Sequence, residues 1–112
     1  MGHSAGSLVR NALATAAVAA ALAQPVSAKG QVDRIAMKDI AYLPVTATVH
    51  VGDAVEWDNE DIVAHTATSK VGGFDVVVPP GGQGSTVAAR PGMFAYTCRY
   101  HPNMKGQLIV EP

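Results

Sequence analysis

The sequence predicts an all-β domain, and three observations carry that reading. Residues 29–112 hold 12 Val, 4 Ile and 6 Thr, side chains whose branching suits an extended, pleated backbone. No stretch of ten residues in this part repeats apolar positions at the three-to-four spacing of an amphipathic helix. Nine Gly and six Pro are scattered through it, so that turn signals recur about every 8 to 12 residues, as in a sandwich or small barrel.

The first 28 residues follow a different logic. Seventeen are hydrophobic and ten of those are Ala; Arg10 lies in a short polar stretch, an uncharged run covers Ala12–Ala23, and the small-residue triplet Val26-Ser27-Ala28 precedes Lys29. This is the layout of a secretory signal peptide cleaved after Ala28, with the mature protein at work in the periplasm. The run is shorter than the roughly 20 apolar residues of a transmembrane helix, so the mature form is expected to have no membrane span. The chain divides into a signal peptide over 1–28 and one domain over 29–112.

That domain carries seven basic and nine acidic side chains, which leaves no basic surface for nucleic acid. Its single cysteine excludes an intramolecular disulfide and a zinc site of several thiolates. Eighty-four residues lie near the lower limit for a single sufficient core, so a bound group that staples the fold would be useful.

The strands can be read in order. The first runs over about Val32–Met37, and Ile40–Leu43 follows up to Pro44, whose missing N–H interrupts any ladder. Val45, Ala47, Val49 and Val51 alternate with Thr46, Thr48 and His50, a period of two that buries one face and points His50 to solvent. After the Gly52-Asp53 turn, Val55 and Trp57 alternate with Glu56 and Asp58, ending in the polar Asn59-Glu60-Asp61. The pattern breaks down over Ile62–Thr66. Val76–Val78 is a short apolar run closed by Pro79-Pro80-Gly81-Gly82, and Ser85–Ala89 resumes before Pro91-Gly92. Phe94, Tyr96 and Cys98 share one strand face, and Gln107–Val110 forms the last strand. Trp57, Met37 and Met93 are assigned to packing.

The chemistry concentrates in Cys98-Arg99-Tyr100-His101-Pro102-Asn103-Met104. A thiol, an imidazole and a thioether at positions 0, +3 and +6 lie in one loop between two strands, which can turn all three to one point. Soft sulfur donors with imidazole select copper, and two imidazoles, one thiolate and a weak axial Met make a blue-copper electron-transfer centre. One imidazole is missing from the loop. His3 leaves with the signal peptide and His50 sits on a polar strand face, so His65, where the strand pattern breaks, is the best second imidazole.

With these residues on view the chain resembles a family. The run Gly52–Asp61 leading to His65, followed by Phe94-Ala95-Tyr96-Thr97-Cys98 with His101, Met104 and Lys105-Gly106, is similar to the small blue copper proteins, the cupredoxins. The short C-x-x-H-x-x-M loop resembles that of the amicyanins more than the longer loops of azurin or pseudoazurin. The resemblance implies an eight-stranded Greek-key β-sandwich (seven to eight strands are expected here) with one Cu(I)/Cu(II) ion at one end. It assigns His65 and His101 as imidazole ligands, Cys98 as thiolate and Met104 as the long axial thioether.

It further implies an electron carrier, not an enzyme, that docks briefly near His101 with redox proteins of dehydrogenase or cytochrome type, and a monomer is the default for so small a carrier. A copper storage or delivery protein of the same fold is the rival reading. Three positions depart from the family. The Asn that usually follows the first His and the Thr or Ser that follows the Cys, which brace the ligand loops by hydrogen bonding, are here Thr66 and Arg99. That bond is therefore not expected in its usual form. Tyr100 also replaces the Pro common before the second His.

Overall fold

The structure, a computed structural model, describes residues 30–112, so the expected signal peptide over 1–28 lies outside the described residues. Nine strands and no helix occur among them: β1 (Val32–Met37), β2 (Tyr42–Leu43), β3 (Thr46–His50), β4 (Ala54–Asn59), β5 (His65–Ser69), β6 (Phe74–Val78), β7 (Gln83–Val87), β8 (Gly92–Thr97) and β9 (Lys105–Glu111). They form two sheets, in the orders β2-β1-β4-β7 and β3-β9-β8-β5-β6. The all-β sandwich expected from the sequence is present.

Two neighbouring pairs, β1–β4 and β3–β9, run parallel. Parallel neighbours cannot be joined by a tight hairpin. Between β1 and β4 the chain accordingly crosses to the other sheet as β3 and returns, and this interleaving ties the two layers together.

The strand alternation builds the core between the layers. Ile35 and Met37 of β1, Val55 and Trp57 of β4, Phe94 and Tyr96 of β8, and Leu108 and Val110 of β9 all turn inward and are buried. Full burial of side chains of this kind stabilises by about 1.5–3 kcal/mol each. Trp57 and Met37 thus pack as expected. Met93 does not; it is 62% exposed, because the same alternation that buries Phe94 and Tyr96 turns it outward. Val45 and Val51, which flank β3, are also exposed. His50 faces solvent as expected.

An aromatic group fills the centre. Trp57 Nε1 donates to Tyr96 Oη at 3.3 Å, and the Tyr42 and Tyr96 rings meet edge to face at 4.5 Å. Burial pushes the Tyr96 hydroxyl up to about 12, against the opposing effect of the Trp57 hydrogen bond. Tyr96 lies opposite Gly106 in the β8–β9 register, and a Cβ at position 106 would come within 2.6 Å of the Tyr96 ring. Only glycine lets this ring lie flat across the neighbouring strand.

β5 has no sequence signature of a strand. His65-Thr66-Ala67-Thr68-Ser69 shows no apolar alternation, yet four of its five residues are buried. Polar side chains are tolerated there because they are hydrogen-bonded, as Thr66, Thr68 and Ser69 are.

At the ends of β1 and β4 away from Asn59, Asp33 and Asp53 lie close enough to share a proton. Asp53 accepts the Gln31 and His50 amide N–H groups at 3.0 Å each, whereas Asp33 Oδ2 is buried without a donor among the described residues. Burial, and then Asp53, raises Asp33 above the ordinary carboxylate range; hydrogen bonds from Asp33 and from the His50 and Gln31 amides hold Asp53 below it. A group raised on folding gives up stability as pH climbs past its unfolded value, because the unfolded chain releases that proton first.

Asp33→Asn supplies an N–H to Asp53 without needing a proton. Its unfolding midpoint should exceed that of the native chain at neutral pH, and the gain should shrink as pH falls to about 2.5, well below the ordinary carboxylate value, where the native carboxyl is protonated in both states. Thermal melts at the two pH values check this. Gly106→Ala, by forcing Tyr96 aside, should cost about 1–3 kcal/mol in denaturant unfolding.

Candidate metal centre

Two chain segments meet at one end of the sandwich. The first leaves β4 at Asn59, whose buried side chain organises the following loop. Its Oδ1 accepts the Asp61 N–H at 2.9 Å, and its Nδ2 donates to the carbonyls of Val63 (2.8 Å), Val78 (3.2 Å) and Pro79 (3.3 Å). This delivers His65 to the start of β5. The second segment leaves β8 at Thr97 and turns back on itself, with Met104 N–H donating to the His101 carbonyl (2.8 Å) and Cys98 N–H to the Met104 carbonyl (3.1 Å). Cys98, His101 and Met104 therefore belong to one closed loop. β5 and β8 pair only at Thr68–Thr97, and beyond that bridge the two segments carry the site.

The structure brings His65, Cys98 and His101 together, with one donor atom from each lying within 4.8 Å of the others. Cys98 Sγ is 3.8 Å from His65 Nδ1 and 3.7 Å from His101 Nδ1. Two donors about 2.2 Å from a common centre and about 120° apart are separated by about 3.8 Å, so these three fit a trigonal metal site. The imidazole rings meet at 68° with centroids 5.0 Å apart. His65 is fully buried and His101 only partly so. Met104 is buried, and its main chain is bonded to both Cys98 and His101.

His65 has a second partner. Its Nε2 lies 2.7 Å from Asp61 Oδ2, and since the carboxylate can only accept, Nε2 carries the proton and Nδ1 presents its lone pair to the site. The same carboxylate accepts the Asp39 N–H at 2.8 Å and the Ile40 N–H at 3.0 Å. Those two residues form the tight turn between β1 and β2 with positive φ values of 53° and 56°, a conformation that costs an L-residue about 1–2 kcal/mol. The Ile40 amide, followed by the His65 and Asp39 hydrogen bonds, holds Asp61 below the ordinary carboxylate range. One side chain thus secures a strained turn and the buried imidazole.

Burial alone would push the Cys98 thiol up. Hydrogen bonds from the Thr66 N–H, the His101 ring and the Tyr100 N–H outweigh it and bring the group down to about 6, so the thiolate is available at neutral pH. The Thr66 N–H lies 3.3 Å from Sγ, and the Arg99 N–H donates to Thr66 Oγ1 at 2.9 Å. A brace between the ligand segments therefore exists despite Thr66 and Arg99. Arg99 contributes its main chain, which any residue type would supply, while the Thr66 hydroxyl acts as acceptor.

The four residues singled out from sequence are thus placed in this corner of the fold. His50 is outside it, exposed on β3 and 3.4 Å from Glu111. The sequence reading had no role for Asp61. Its signal would have been a carboxylate four residues before a candidate ligand, inside a polar turn. Tyr42, buried beneath the site, donates its hydroxyl to the Thr66 carbonyl and was likewise not singled out.

A cupredoxin-like domain family matches residues 11–110. Among solved structures, the fold is similar to a reduced variant of amicyanin, 24% identical, with a TM-score of 0.64 over 71% of this chain and 82% of the other. It is also similar to an amicyanin variant in its Cu(I) form, 25% identical, with a TM-score of 0.65 over 77% of this chain and 87% of the other. No curated protein matches the chain. The family match, the two-sheet architecture and the converging His65, Cys98 and His101 lead to one conclusion: the chain belongs to the cupredoxin-like family.

Proposed function

We propose that the protein is a periplasmic one-electron carrier with a single copper ion held by His65 Nδ1, Cys98 Sγ, His101 Nδ1 and Met104. The observation that carries this reading is the convergence of two imidazoles and a thiolate at trigonal spacing. The donor set fits copper, since thiolate and thioether are soft ligands that tolerate both Cu(I) and Cu(II). When bound, the ion supplies the reversible gain and loss of one electron.

The protein's own residues do the rest. Asp61 fixes the His65 tautomer, and the amide of Thr66 takes up part of the thiolate charge. His65 and Cys98 are closed off from water, so the exchange of electrons runs through the exposed part of His101. The residues that flank the two imidazoles in the chain are mildly apolar, with Ile62 and Val63 exposed before His65 and Tyr100 exposed before His101, which suits the small, short-lived interfaces of redox partners. No substrate is transformed in this reading. The buried thiolate favours a carrier over a copper-delivery protein, which must present its metal to a recipient.

Addition of Cu(II) to the purified protein should produce an intense thiolate-to-copper absorption band in the visible. Cys98→Ser should abolish it, and loss of His65 should abolish the normal site; Met104→Gln should keep the colour and shift the potential. A colourless native product, or colour that survives Cys98→Ser, would overturn the assignment. Asp61→Ala releases both the His65 ring and the Asp39–Ile40 turn, so copper affinity measured by competition with a chelator should fall about 10- to 100-fold.

A further inference from the structure

Beside the Cys98 thiolate, a ring of hydrogen bonds begins and ends on one residue. The Arg99 N–H donates to Thr66 Oγ1 at 2.9 Å; Thr66 Oγ1 and Thr68 Oγ1 are 2.8 Å apart; Thr68 Oγ1 donates to Asp75 Oδ1 at 2.7 Å. The Arg99 guanidinium closes the ring on the same carboxylate, through Nε to Oδ1 at 3.1 Å and Nη2 to Oδ2 at 3.3 Å.

The directions in this ring are fixed by chemistry. Hydrogen bonds from Thr68 and then Arg99 keep Asp75 ionised, so it only accepts, and the Thr68 hydroxyl proton is committed to it. Between the two hydroxyls Thr66 must then be the donor. Its oxygen turns its lone pairs to the Arg99 amide, and each bond polarises the next. The guanidinium meets Asp75 as a two-pronged fork, which holds orientation as well as charge.

We propose that Asp75 is a positioning residue for the metal centre, acting through Thr68 and Thr66 to clamp the Cys98–Arg99 segment against β5. The proposal rests on the copper reading above. Asp75 touches no ligand and is about half exposed, yet the clamp it orients is the one that keeps the Thr66 N–H on the Cys98 sulfur. Hydrogen bonding at this sulfur is a determinant of the redox potential. A donor on the thiolate withdraws charge from the metal and favours Cu(I), so loosening the clamp lowers the potential.

The test uses the full chain with two substitutions, Asp75→Ala, on an exposed position of β6, and Thr68→Val, nearly isosteric. Amide exchange of Arg99 and Val110 is followed by NMR without copper, and the reduction potential and visible spectrum are measured with copper. In both variants the Arg99 amide should exchange at least tenfold faster while Val110, deep in β9, is unchanged. The ratio of Cu(I) to Cu(II) at a fixed potential should fall about tenfold, which is about 59 mV for a one-electron couple. Unchanged Arg99 exchange in Asp75→Ala overturns the clamp. Faster exchange with an unchanged potential and spectrum overturns the positioning role, because the ring would then be merely structural. A native chain that develops no thiolate-to-copper band overturns the copper reading itself, an outcome that the exchange data distinguish from failure of the clamp.

Discussion

The whole centre depends on one contact, the Thr66 N–H on Cys98 Sγ. His65 and Thr66 open β5, Cys98 and Arg99 follow β8, and the two strands pair directly at a single position, Thr68 with Thr97. Past that point no continuous ladder holds the strands together. The gap is closed instead by the amide-to-sulfur contact and by the Arg99 amide on the Thr66 hydroxyl, two bonds that cross in opposite directions. The stretch where the sheet gives up regular pairing is therefore where main-chain donors become free to face a thiolate. This local loss of ladder bonds is what makes room for a site.

The asymmetry between the imidazoles follows from the same geometry. His65 sits on the inner segment, buried, with Asp61 fixing its outer nitrogen. The energy of the Asp39–Ile40 turn is part of that arrangement, since the carboxylate that offsets the turn's strain by accepting both of its amides is the one that orients the ring. His101 sits on the outer loop, partly exposed, and its ring has Cys98 as its only hydrogen-bonding contact among the described residues. Rigidity is thus concentrated on one imidazole and exposure on the other.

Much of this was legible in the sequence, for physical reasons that differ between elements. β1 could be placed to the residue because Ile35 and Met37 alternate cleanly between turn signals, and Trp57 declared its burial by the same pattern. The ligand loop was legible because three soft or borderline donors at intervals of three have few other uses. β5 was not, because its buried side chains are polar and satisfied by hydrogen bonds that no single-chain pattern displays. Met93 was misplaced for lack of the register that turns Phe94 inward. The brace involving Arg99 was hidden because a main-chain amide leaves no trace in residue type.

That last point bears on how such a site tolerates change. A brace made from two side chains fixes two residue identities, whereas here the donor is an amide and only the acceptor at position 66 is constrained. The side chain at 99 is thereby freed to reach outward to Asp75, where an exposed ion pair by itself contributes little to stability. Its significance lies in direction more than in energy. By fixing which way the Thr68 and Thr66 hydroxyls point, a weak surface pair determines whether the Arg99 amide finds its acceptor, and so couples the rim of the sandwich to the sulfur of the metal centre.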